Sequence, residues 1–229
     1  MQELERLMPE SPNIKAVVLD MDGTMFNSEH IYDSVCEGVL NKRGHSFTND
    51  LKMKMMGLAT PVALQVMVQH FDLSDSISQL TDECHEIFLE LMPSQIQKMP
   101  GLDTLLQHIE SAGLPKAVAT SSTTKIAKAA LGTFDLEKRF EFILTGDDVT
   151  NGKPHPEVYS TAAKRLEIPP EEMLAIEDSV VGSKAAAASG AYTIAIPEAH
   201  SAGGDFSHAH QILDRLDSPI ILRLIGAKI

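Results

Sequence analysis

Five short apolar runs constrain this chain more than any other feature: IKAVVLD (14–20), PKAVAT (115–120), EFIL (141–144), MLAIED (173–178) and YTIAIP (192–197). None alternates cleanly between apolar and polar residues, as expected of parallel strands covered on both faces. Helical patterns separate the last four: TTKIAKAALGTF, HPEVYSTAAKRLEI and SVVGSKAAAASGA. Strand-helix alternation of this kind predicts an α/β fold built on a doubly wound parallel sheet. Ser179 is expected to cap the Ala-rich helix at its start and Gly190 at its end. Residues 30–97 differ in character. They carry helical patterns, among them HIYDSVCEGVLNKRG, PVALQVMVQHF and DECHEIFLELM, and no convincing strand. We therefore expect an inserted α-helical cap domain over 27–97. A core domain would be made of 1–26 and 98–229.

With 229 residues, 43% of them hydrophobic, the chain can build one large domain or a core with an insert. Its 32 acidic and 19 basic residues give a net charge of −13. Such a surface repels nucleic acid and anionic membranes, so neither is an expected partner. The start, MQELERLMPESPN, shows no secretory signal, and no apolar run is long enough to span a bilayer. The tail IILRLIGAKI, interrupted by Arg223, reads as a final element packed on the core. Cys36 and Cys84 read as two reduced thiols of a cytoplasmic protein.

Ligands in doubly wound sheets bind beyond the carboxyl ends of the strands. Here those ends are polar. The first run ends in Asp20, with Asp22 just beyond; the second ends in Thr120-Ser121; the fourth ends in Glu177-Asp178. Lys153 lies in NGKPHPE, ahead of a helix. Parallel strands would bring these groups to one edge. Four potential negative charges exceed what one lysine neutralises, and a hard divalent cation such as Mg²⁺ would offset them. The hydroxyls, the lysine, a helix start and the backbone N–H groups near Gly23 suit a phosphate. In extended backbone Asp20 and Asp22 point the same way and Met21 points back, while Gly23 allows a sharp turn. One carboxylate can attack phosphorus and the other can move protons for the leaving group and for water.

DMDGT, ATSS, GKPHPE and EDS, in that order, resemble the four motifs of the haloacid dehalogenase-like hydrolases, over about residues 14–197. The Rossmann-like core and helical insert resemble the branch of β-phosphoglucomutases and pseudouridine 5′-phosphatases, to which MPG at 99–101 and GDD…GKP are also similar. The resemblance implies Asp20 as nucleophile and Asp22 as general acid/base. It implies phosphate binding by Thr120, the backbone around Ser121, and Lys153. It also implies Mg²⁺ held by Asp20, the Asp22 carbonyl and Asp178, with Glu177 in metal support. The implied activity is an Mg²⁺-dependent phosphatase, monomeric, acting on a small phosphorylated metabolite through an aspartyl-phosphate.

Two departures stand out. Asn27 occupies a position where the family usually has aspartate. MGLATP carries Thr60 near the place of the arginine that grips a distal phosphate in the mutases. That favours hydrolysis over mutase chemistry, with Lys52 or Lys54 as substitute cations. A phosphorylation-switched receiver module would use similar groups, but it places its aspartate on a middle strand and needs no insert. Thr120 and Ser121 are also expected to help cap the following helix. The nine histidines show no ligand spacing, and His208 and His210 read as solvated. Leu51, Met53, Met55, Met56 and Leu58 read as cap core or a pliable substrate wall.

Overall fold

The computed structural model describes residues 12–55, 60–198 and 201–226. Five of its strands grow from the five apolar runs, each trimmed to its buried centre: β1 (Ala16–Leu19), β2 (Lys116–Ala119), β3 (Ile143–Leu144), β4 (Met173–Glu177) and β5 (Tyr192–Ala195). A sixth, β6 (Gln211–Ile212), adds to the far edge. All pairings are parallel, in the order β3-β2-β1-β4-β5-β6. The chain therefore starts in the middle of the sheet and winds outward both ways, which is the doubly wound α/β architecture expected. The strand β6 escapes sequence reading because both its residues are exposed, so no apolar run announces it.

Every residue of β1, β2 and β4 is buried, as strands covered on both faces must be. The register pairs Leu19 with Val118 on one side and with Ile176 on the other, so the ends of β1, β2 and β4 lie level. Asp20, Thr120 and Glu177-Asp178 follow from those level ends. Behind them, Val18, Ala117, Ala119, Leu144, Val158, Tyr159, Ala162 and Ala175 form one packed cluster.

The chain divides into two compact units, Asn27–Gln97 and the remainder. Among the described residues the first holds four helices: α1 (Glu29–Asn41), α2 (Asn49–Met55), α3 (Thr60–Phe71) and α4 (Ile77–Gln95). Its interior is Ile31, Val35, Val39, Leu51, Leu64, Met67, Leu80, Phe88 and Met92. A Ser76–Gln79 capping box starts α4. Its two chain ends are clipped together: Asn27 N–H donates to the Gln97 carbonyl at 3.1 Å, and Gln97 N–H donates to Asn27 Oδ1 at 2.7 Å. Of the methionine group, Leu51 and Met55 are buried and Met53 is exposed; Met56, Leu58 and most of MGLATP lie outside the described residues.

The second unit adds α5 (Leu102–Ser111), α6 (Thr124–Thr133), α7 (Glu157–Arg165), α8 (Val180–Ala188) and α9 (Pro219–Leu224). Ser179 caps α8 by accepting from Gly182 N–H at 3.0 Å. Ser189 occupies the C-cap, one residue before Gly190, which ends the helix at φ +91°. The tail does pack on the core: Ile221, Leu222 and Ile225 are buried. The opening MQELERLMPES lies outside the described residues. Among the described residues, no helix is long and apolar enough to cross a membrane.

Candidate active site

The loop after β1 is built around two carboxylates and a glycine. Asp20 is held by the sheet, its N–H donating to the Ile176 carbonyl at 3.0 Å, and is only 6% exposed. Met21 turns fully into the protein. Gly23 sits at φ +86°, and a Cβ there would overlap the Asp178 carboxylate, so both conformation and space demand glycine. Its N–H is already taken by the Phe26 carbonyl at 2.8 Å. What Gly23 itself leaves open is the space beside the Asp178 carboxylate. Thr24, to which the sequence reading gave no role, donates to Asp178 Oδ1 at 3.1 Å.

The end of β2 supplies hydroxyls. Thr120 donates to Asp22 Oδ2 at 3.2 Å, and Ser122 donates to the same oxygen at 2.7 Å. Ser122 N–H donates back to Thr120 Oγ1 at 3.0 Å, which fixes the turn. Ser121 is exposed. The helix that follows is capped by Thr123, whose side chain accepts from Ile126 N–H, and not by Thr120 or Ser121. The serine hydroxyl found on Asp22, beside that of Thr120, thus comes from the second serine of ATSS.

Lys153 reaches in from the loop before α7 with its side chain 5% exposed. Its ammonium donates to Asp20 Oδ1 at 2.6 Å, Glu177 Oε1 at 2.6 Å and the Ala119 carbonyl at 2.9 Å. Burial alone would lower Lys153, but the Asp20 and Glu177 charges outweigh it and hold the amine well above its usual value. Burial first, and Glu177 next, push the Asp20 carboxyl above its usual value; Lys153 pulls back, and Asp178 and Asp22 add smaller pushes. One lysine among these acids leaves an excess of buried negative charge.

Asp20, Glu177 and Asp178 each offer an oxygen within 4.8 Å of the others. All three are buried, and the donor set is oxygen only, which suits a hard cation. The triad can hold a metal ion. Glu177 is the most committed member: Oε1 accepts from Lys153 and from the Tyr159 hydroxyl at 2.8 Å, and Oε2 accepts from the Ser179 hydroxyl at 3.1 Å. Gly182 makes room for this carboxylate, since a Cβ there would overlap it.

Other expected groups lie elsewhere. Lys52 is bonded to Asp33 and Lys54 to Asp50, both inside the helical unit. A cavity of about 570 Å³ there is lined by Asp33, Glu37, Phe47, Lys52 and Ile87, and none of Asp20, Asp22, Glu177 and Asp178 lines it. His208 is not simply solvated: it is half-buried and its Nε2 shares a hydrogen bond with Ser183 at 2.8 Å. His210 Nδ1 accepts from Thr193 N–H at 3.1 Å. The segment after residue 198 also reaches the site, where the Ser201 hydroxyl donates to the Asp178 carbonyl at 2.7 Å.

A doubly wound sheet with a buried acid triad, a lysine and hydroxyls at its carboxyl edge defines an α/β enzyme of a recognisable type. Residues 17–196 match the family model described as haloacid dehalogenase-like hydrolase, so the chain belongs to that family. It is 32% identical over 177 residues to a phosphorylated carbohydrates phosphatase of Thermotoga maritima, covering 77% of this chain and 82% of that protein. It is 33% identical over 208 residues to a probable pseudouridine-5′-phosphatase of Saccharomyces cerevisiae, covering 84% and 87%. The solved structure of CbbY from Rhodobacter sphaeroides in complex with phosphate superposes with a TM-score of 0.82 at 25% identity, covering 92% of this chain and 99% of that one. The chain is thus an enzyme of the family's phosphatase class.

Proposed function

We propose that this protein is an Mg²⁺-dependent phosphatase that hydrolyses a small phosphomonoester, a sugar or nucleoside phosphate, through an aspartyl-phosphate on Asp20. The observation that carries this reading is Lys153 Nζ at 2.6 Å from Asp20 Oδ1, in a cluster that also contains Asp178 and Glu177. Asp20, the Asp22 carbonyl and Asp178 would hold the ion, with Glu177 supporting them. When bound, the ion supplies positive charge that offsets repulsion between carboxylate and phosphate. Thr120, the backbone around Ser121, and Lys153 bind the phosphoryl oxygens. An Asp20 carboxylate oxygen attacks phosphorus, the new O–P bond forms, and the bond to the leaving oxygen breaks as Asp22 delivers a proton to it. Asp22 then takes a proton from water, which attacks the same phosphorus and frees Asp20. The hydroxyls of Thr120 and Ser122 on Asp22 Oδ2 aim that carboxyl.

In this reading residues 27–97 are a cap domain that reads the leaving group. Cys36 and Cys84 are free thiols, and a reducing cytoplasmic setting would keep them so. The relatives named above support a phosphorylated small metabolite as substrate. The test is a screen for inorganic phosphate release from sugar phosphates and nucleotides, with and without Mg²⁺. We expect Mg²⁺-dependent release from a subset of them. Exchange between sugar-phosphate isomers with no release would overturn hydrolysis in favour of phosphotransfer.

A further inference from the structure

Tyr159 is a fully buried phenol that the steps above do not use. It lies on the inner face of α7 with Val158, Ala162 and Ala163, where a phenylalanine would fill the same space. A buried hydroxyl is costly unless it is bonded, so the extra oxygen calls for a reason. It donates to Glu177 Oε1 at 2.8 Å, the same atom that receives Lys153 at 2.6 Å. The Lys153 ammonium also stands 5.1 Å from the centre of the Tyr159 ring. Tyr159 therefore meets the lysine twice, through a shared oxygen and through its π face.

We infer that Tyr159 is a positioning residue that fixes Glu177 and, through it, aims the Lys153 ammonium at the phosphoryl group. The inference rests on the phosphatase reading. The three N–H groups of the ammonium go to Asp20, Glu177 and the Ala119 carbonyl, so Lys153 must exchange one of these bonds to reach a phosphoryl oxygen. Glu177 is the pivot of that exchange, and a pivot is useful only if it stays still. Ser179 anchors its outer oxygen and Tyr159 its inner one. Because the phenol shares Oε1, Glu177 grips the ammonium less exclusively. Because the ring lies close to Nζ, the directions open to the ammonium are few.

The test compares Tyr159→Phe with the wild type in three measurements: calorimetric affinity for inorganic phosphate in the presence of Mg²⁺, kcat/KM for an aryl phosphate, and Tm. Losing one hydrogen bond to a charged group should weaken phosphate affinity and lower kcat/KM, each about tenfold. The Tm should move by only a few degrees. In a Lys153→Met background the same change should lower kcat/KM less than about twofold, since a residue acting through the lysine has nothing left to act on. Glu177→Gln, which keeps the shape and removes the charge, should weaken phosphate binding at least as much as Tyr159→Phe. Three results overturn the inference: phosphate affinity within twofold of wild type, a full tenfold loss persisting without Lys153, or a Tyr159→Phe protein that does not fold. Were the wild type to release no phosphate from any ester, the phosphatase reading would fall by itself. The calorimetric comparison would still decide Tyr159.

Discussion

Asp20 and Asp22 differ in surroundings although they are two positions apart. Asp20 is buried against Lys153, and Asp22 faces the hydroxyls of Thr120 and Ser122. The two amide variants should therefore fail differently. Asp20→Asn keeps shape but would remove the proposed nucleophile, and kcat should fall by at least about a thousandfold with the circular dichroism spectrum unchanged. Asp22→Asn should cost about a hundredfold with alkyl phosphates and much less with aryl phosphates, whose leaving groups need little protonation. An equal loss on both ester types would remove Asp22 as the acid. Gly23 belongs to the same scale: Gly23→Ala would force an L side chain to φ +86° and drive a methyl into Asp178. Loss of activity together with a lowered Tm is the expected result.

At the level of elements, caps and ion pairs tie helices to the sheet. The Ser179 hydroxyl both caps α8 and holds Glu177. Ser179→Ala should thus cost more than the ordinary 1 kcal/mol or so of a lost N-cap, read by denaturant unfolding. At the end of α5, Glu110 takes a two-pronged bond from Arg139 at 2.8 and 2.9 Å and faces the buried Lys116 at 3.0 Å. The Arg139 hydrogen bonds, before anything else, hold the Glu110 carboxyl down at about 2, below its ordinary 4.5. A depressed acid contributes stability above its unfolded value and loses it as pH falls through the folded one. Glu110→Gln should therefore cost about 1 kcal/mol at pH 7, after allowance for solvent screening of this half-exposed group. The gap between variant and wild type should close as pH falls from 4.5 toward 2. A gap that stays constant to pH 2 would contradict this.

On the scale of the whole molecule, a cation bound at the acid-rich sheet edge, as proposed above, would make stability depend on that ion. A ligand that binds only the folded state at a hundred times its Kd adds about 2.7 kcal/mol, or roughly 5–10 °C in Tm for a chain of this size. Adding Mg²⁺ to metal-stripped protein should raise Tm by that order, and Asp178→Asn should abolish the rise. An equal rise in the variant would take Asp178 out of the cation site.

The sheet was legible because burial on both faces leaves strands almost wholly apolar, so β1, β2, β4 and β5 stand out from sequence and their polar ends point to one edge. The strand β6 was not legible, because an exposed two-residue edge strand needs no apolar residue. The acids, Thr120 and Lys153 could be selected by type and position. Tyr159 could not: on α7 it is one more large residue at core spacing, and only folding shows that its hydroxyl meets Glu177. The same holds for Ser122, which the turn after β2 brings to Asp22, and for Ser201, brought to Asp178 from a segment without periodicity. Periodicity and residue chemistry alone determined the layers, the winding and the kind of groups at the edge, because local pattern encodes which face is buried. Which donor meets which oxygen was settled only in three dimensions, because hydrogen bonds between residues far apart in the chain leave no local trace.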